Sequence, residues 1–139
     1  MAEHDDAAVS HRVTKLDADA CWRLLQTQSL GRLVIAADRI EIFPVNFLVY
    51  ERAVYFASAP GTKMMALTES PQVAFEVDGE ESDLVWSVVL RGRAVRLASD
   101  TEIEASGILR LHAMHPTKKR NYVRIAPDTI SGREFRPMP

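Results

Sequence analysis

The 139 residues carry 17 basic and 19 acidic side chains, for a formal net charge of −2, with 47% hydrophobic and 26% charged residues. Those proportions suit one ordinary globular domain, able to bury about 70% of the surface its unfolded chain exposes. They argue against a general nucleic-acid binder, which needs a concentrated cationic excess. No apolar run has the length of a membrane span, and the polar, acidic stretch Met1 to Asp6 is unlike a signal peptide. A cytoplasmic protein is expected, and the lone Cys21 on an apolar helix face reads as a small buried hydrophobe.

Residues 1–14 are polar and lack periodicity, so they are expected to form a flexible arm ahead of a single domain over 15–139. Asp17 can cap a helix whose apolar residues Ala18, Cys21, Trp22 and Leu25 fall at i, i+3, i+4 and i+7. Leu33 to Ala37 and Ile40 to Tyr50 read as strands around an Asp38-Arg39 turn, the second interrupted by Pro44, which belongs at an edge or a bulge. Val54 to Ser58 is a third strand after Glu51-Arg52. Connections this short predict an antiparallel meander. Pro60-Gly61-Thr62-Lys63 breaks the pattern, and Lys63 to Ser70 suits about two helical turns.

Val73 to Val77 is a fourth strand, followed by an acidic loop over Asp78 to Asp83. In Leu84 to Leu97 the residues Leu84, Trp86, Val88, Leu90 and Ala94 share one face, while Ser87, Arg91 and Arg93 share the other. Gly92 marks a bulge or bend. Ser99 and Glu102 have capping-box spacing for a helix running to about Met114, and two closing strands are expected around Pro127-Asp128. The fold expected is mainly β with short helices: six to seven mostly antiparallel strands in a small barrel, since closure removes exposed sheet edges.

Three places could carry chemistry. At Ser58-Ala59-Pro60-Gly61-Thr62-Lys63 a strand passes through a glycine turn into a helix. The helix amides, the Thr62 hydroxyl and the Lys63 cation together suit a phosphate, though a plain Pro-Gly turn with a solvated lysine accounts for the same residues. At Phe43-Pro44-Val45-Asn46-Phe47 the proline frees backbone groups which, with the Asn46 amide, could address the edge of a flat heterocycle; the alternative is an Asn that satisfies a bulge. Trp86-Ser87 with Arg91 and Arg93 is the third, with Trp86 in the core or an interface and the arginines paired to the acidic loop as the plainer reading. His112 and His115 lack further ligands for a metal, and Lys118-Lys119-Arg120 reads as a solvated loop or an anion contact.

Taken in order, Cys21-Trp22-Arg23-Leu24-Leu25, Gly31-Arg32-Leu33, Pro44-Val45-Asn46-Phe47, Pro60-Gly61-Thr62-Lys63 and Trp86 to Ala94 resemble the pyridoxamine 5'-phosphate oxidase-like family, in particular its small flavin- or deazaflavin-binding split-barrel members. The likeness runs from about Leu16 to Arg133. It implies a split β-barrel homodimer with FMN held in two equivalent clefts at the subunit interface, a small-molecule substrate and oxidoreductase chemistry. Carried over, Val45 and Asn46 lie along the flavin ring; Ser58, Gly61, Thr62 and Lys63 hold the phosphate end; and Trp86 and Ser87 stand near the interface. Relatives often carry Arg-Thr where this chain has Ala57-Ser58. That difference leaves room for the deazaflavin F420, or for a dimer that binds no cofactor at all; FAD, and a non-catalytic flavin- or haem-binding module, are further alternatives.

Overall fold

The computed structural model describes residues 13–111 and 120–137. Eight strands lie in one antiparallel sheet: β1 (Val13–Leu16), β2 (Leu30–Ala36), β3 (Ile40–Asn46), β4 (Leu48–Tyr50), β5 (Ala53–Ser58), β6 (Gln72–Glu81), β7 (Leu84–Arg96) and β8 (Asn121–Phe135). Three helices, α1 (Ala18–Leu25), α2 (Thr62–Glu69) and α3 (Asp100–Ser106), and a 3-10 turn at Ile108–Arg110 fill the joints. The sheet order is β3-β2-β6-β7-β8-β5-β4, with β1 paired to β8. β3 and β5 touch with no ladder between them, so the sheet curls into a barrel split along that seam.

The core follows from alternation. Leu33 and Ile35 of β2, Phe75 and Val77 of β6, Trp86, Val88 and Leu90 of β7, and Val123 and Ile125 of β8 all point inward. Cys21, Trp22, Leu24 and Leu25 of α1 join the same core. Asp17 caps α1 as expected, its Oδ1 accepting from the Ala20 amide at 2.8 Å. Burial pushes the Cys21 thiol above its ordinary pKa, in keeping with a packing role.

Several boundaries differ from expectation, each for a local reason. β1 takes up Val13 and Thr14, the last two residues of the segment read as an arm, by pairing them with Phe135 and Glu134; residues 1–12 lie outside the described residues. The expected meander breaks at Phe47. There the long strand divides, and β3 and β4 go to opposite ends of the sheet. β6 runs on to Glu81, so only Ser82 and Asp83, both at positive φ, remain of the acidic loop. The two closing strands are one: β8 passes through Pro127-Asp128 with a bulge, where Arg91 faces Thr129 but Gly92 faces Pro127. α3 stops at Ser106 rather than near Met114, because Gly107 at φ 82 forms a left-handed cap.

Candidate functional site

β5 hands the chain to α2 at the split of the barrel. Gly61 is the helix N-cap, at φ 149 and ψ −157, with no side chain capping the first turn. A Cβ there would meet nothing within 4 Å, so glycine serves the backbone conformation and leaves open space in front of the helix. Thr62 is exposed and Lys63 half-buried. The Lys63 ammonium lies 5.6 Å from the centroid of the Phe43 ring on β3 and 6.0 Å from that of Phe56 on β5. It therefore bridges the two strands that form the seam. Among the described residues no carboxylate pairs with it, and burial lowers its pKa. A half-desolvated cation that meets two ring faces and, among the described residues, no carboxylate is chemically ready for an anion.

Ser58 is less available. It is buried, and its hydroxyl donates to the Ala59 carbonyl at 3.1 Å.

Val45 and Asn46 are neighbours on a strand and so face opposite ways: Val45 enters the core and Asn46 lies on the outer side. β3 ends the sheet path, so among the described residues one of its edges has no ladder. The Phe47 amide donates to the Ser29 carbonyl at 3.1 Å. By the alternation of an antiparallel ladder, the backbone groups of Asn46, and the imide nitrogen of Pro44, then turn to the open edge. The Asn46 side chain forms no hydrogen bond with a described residue. The strand thus offers a donor and an acceptor along the edge of β3, the strand whose Phe43 ring meets the lysine.

Trp86 and Ser87 lie elsewhere. Trp86 is 1% exposed, packed in the core against Gly79. Ser87 faces outward, between Asp78 and Arg133. Arg96, at the other end of β7, is cross-strand neighbour of Val123, which in turn neighbours Phe56. Ten residues of strand, about 30 Å, separate Trp86 from that row, so one protomer does not bring it to the α2 corner. The acidic hairpin does not pair with Arg91 or Arg93. Glu76 and Asp78 hold Arg32, with Nη2 2.6 and 2.7 Å from their oxygens, and Glu81 forks with Arg23 at 3.1 and 3.2 Å. Among the described residues Arg91 and Arg93 make no ion pair. His112, His115, Lys118 and Lys119 lie outside the described residues. Sequence reasoning missed the aromatic walls, Phe43 and Phe56; their only signal is an apolar ring on each strand flanking the glycine turn.

A sequence profile of the pyridoxamine 5'-phosphate oxidase family matches residues 17–134. A candidate pyridoxamine 5'-phosphate oxidase from Corynebacterium glutamicum superposes with a TM-score of 0.80 at 40% identity, over 90% of this chain and 99% of that one. An FAD binding protein from Mycobacterium smegmatis gives 0.74 at 35% identity, over 89% and 98%. An FAD-binding protein from Mesorhizobium loti gives 0.81 at 26%, over 89% and 97%.

Proposed function

The chain belongs to the pyridoxamine 5'-phosphate oxidase family, and from that premise we propose that it is a flavin-nucleotide-binding oxidoreductase acting as a homodimer. The observation that carries this reading is Lys63: a half-buried cation, without a carboxylate partner among the described residues, at the uncapped start of α2 and between two ring faces. That corner suits a phosphate. Similarity to two FAD-binding proteins supports a flavin as the molecule that carries it.

A bound flavin supplies hydride transfer. The chain supplies binding and orientation. Lys63 neutralises phosphate charge, Thr62 donates a hydroxyl hydrogen bond, and the first amides of α2 point at the anion. Asn46 offers donors and acceptors at the open edge of β3, which is what the edge of a flavin ring requires. A donor held there would also stabilise negative charge that develops on the ring. Trp86 and Ser87 lie far from this corner in their own protomer, so any part they take requires the second copy. The exposed face of β3, with Ile40 and Ile42 at 70% and 63% exposure, supports such a seam.

The test is titration of the apoprotein with FMN and with riboflavin, followed by quenching of flavin fluorescence. Lys63→Ala is expected to weaken FMN binding by about 1–3 kcal/mol and to leave riboflavin, which has no phosphate, nearly unchanged. Equal FMN affinity in a folded variant overturns the phosphate assignment. Reduced cofactor that passes no electrons to a broad panel of acceptors would leave binding without the oxidoreductase activity.

A further inference from the structure

The outer face of the sheet is charged unevenly from one edge to the other. One row crosses it from Ile42 on β3 through Val34 on β2 and Ala74 on β6 to Arg91 on β7. Two residues further along, Ile40 faces Ala36 and Gln72 faces Arg93. The β6–β7 ladder runs unbroken through both arginines, so they share this face, and both are exposed. Among the described residues neither makes an ion pair. The β3 end carries the exposed Ile40 and Ile42 and, in the turn before them, Asp38, exposed and likewise without an ion pair among the described residues. The face is therefore apolar in the middle, cationic at β7 and anionic at the tip of β3.

Arg91 does not reach the Lys63 corner of its own protomer. It points outward, whereas Lys63 lies over Phe43 and Phe56, rings that belong to the barrel core. Five residues of strand, about 16 Å, also separate Arg91 from the row of Arg96, Val123 and Phe56.

A second copy brings it there. Two copies of one face meet about a two-fold axis in the plane between them. An axis along the rows sets the arginines of each copy against those of the other, and like charges opposed across an interface are costly. An axis parallel to the strands, between β2 and β6, instead lays β7 of each copy over β3 of the other. Arg93 then meets the partner's Asp38, and the small side chains of Ala36 and Ala74 flank the axis and allow close approach. Arg91 falls over the partner's Ile42, next in sequence to Phe43. Sheets packed face to face lie about 10 Å apart, a gap that an extended arginine mostly spans. Since β3 ends the sheet path, an anion at its edge is open to Lys63 from the inner side and to a guanidinium from the outer.

Resting on the flavin and homodimer reading above, we propose that Arg91 of each copy completes the phosphate site at Lys63 of the other. The guanidinium adds a pair of parallel hydrogen bonds that a lysine cannot make.

The experiment is subunit complementation in the full chain, with FMN and riboflavin binding read by flavin fluorescence. Arg91→Gln is expected to weaken FMN binding about tenfold or more and to leave riboflavin nearly unchanged. Lys63→Ala and Arg91→Gln chains are then unfolded together and refolded as a mixture. In a mixed dimer one site has lost both cations and the other keeps both. With random pairing, about a quarter of all sites are expected to regain wild-type FMN affinity. Wild-type FMN affinity in Arg91→Gln overturns the proposal. So does a loss that mixing leaves unrestored, since Arg91 then acts within its own chain; in both cases the flavin reading stands on the wild-type FMN result. A wild type that binds neither flavin removes that reading and this proposal together.

Discussion

The Lys63 ammonium sits 5.6 Å from the Phe43 ring centre, across the seam where β3 meets β5 without a ladder. Its charge is held by ring faces and partly stripped of water, and its pKa is lowered from the ordinary 10.5 by that burial. Between the lowered value and 10.5 the unfolded chain binds more protons than the folded one, so stability rises with pH across that window and is lost as pH falls through the folded value. Lys63→Met is expected to flatten this slope in urea unfolding measured from neutral to alkaline pH.

Phosphate binding should run the other way over the same window. As Lys63 loses its proton the anion loses its partner, so FMN affinity falls with rising pH. Lys63→Arg, which keeps its charge throughout, is expected to hold affinity at the alkaline end. The ratio of the two proteins' affinities cancels ionisation of the ligand itself, and a ratio independent of pH would detach Lys63 from the phosphate.

That corner was legible because its residues are contiguous: Pro60, Gly61, Thr62 and Lys63 announce a turn, a helix start and a cation within four positions. α1 and β7 were legible for a similar reason, since a cap and a period of 3.6 or 2 are local signals. What escaped depends on distant partners. Nothing near Phe47 says that Leu48 will pair with Tyr55 at the far end of the sheet. The stretch after Val77 reads as an acidic loop until Arg32 and Arg23, 46 and 58 residues away from Asp78 and Glu81, neutralise it. Pro127-Asp128 reads as a turn, but thirteen residues of β7 template β8 through it, and a bulge absorbs the extra residue. Phe43 and Phe56 become a site only when the seam brings their strands together.

On the outer side of β5, the Tyr55 hydroxyl lies 3.4 Å from a Glu102 oxygen that Arg124 also holds. Burial raises the Tyr55 pKa above 10.0, and the Glu102 charge raises it further. A raised tyrosine pKa gives stability that is full below 10.0 and lost as pH climbs to the folded value, because the unfolded chain ionises first. Glu102→Gln removes the repelling charge and leaves Arg124 beside the ring. Tyrosinate absorbance is therefore expected to rise at lower pH than in the wild type, with a smaller alkaline loss of stability. An unmoved titration would mean that burial alone sets the Tyr55 pKa.

Gly92 and Gly31 are both close approaches, but they should not tolerate alanine equally. A Cβ at Gly92 would fall 2.1 Å from the Ala126 carbonyl oxygen, which is backbone in the β8 bulge. At Gly31 it would fall 2.4 Å from Cζ of Phe75, a buried ring already edge-on to Phe47 at 5.1 Å between centroids. A ring can shift where a laddered strand cannot. Overpacking costs about 1–3 kcal/mol in general, so Gly31→Ala is expected within that range and Gly92→Ala at or above its upper end. Urea midpoints rank the two, and the reverse order would show the bulge to be the softer neighbour.

The homodimer proposal makes a surface prediction. Ile42, 63% exposed, faces Val34 across the β2–β3 ladder, and Val34 faces Ala74 of β6, so one apolar row crosses the outer side of the sheet. The row ends at Arg91 of β7, which faces Ala74, and the row beside it carries Arg32 held by Glu76 and Asp78, so a second copy seated on the apolar stretch keeps these charges at its rim. Ile42→Lys places an ammonium in that row and is expected to yield a monomer in sedimentation equilibrium that still unfolds cooperatively in urea, at a midpoint below the wild type's and independent of protein concentration, because only the stabilisation from association is lost. Trp86 cannot serve for this test. At 1% exposure its truncation to alanine is expected to cost about 3–5 kcal/mol of stability in any oligomeric state. A wild-type monomer that still retains flavin would remove the shared seam, and with it the only route by which Ser87 and Trp86 could reach the cofactor.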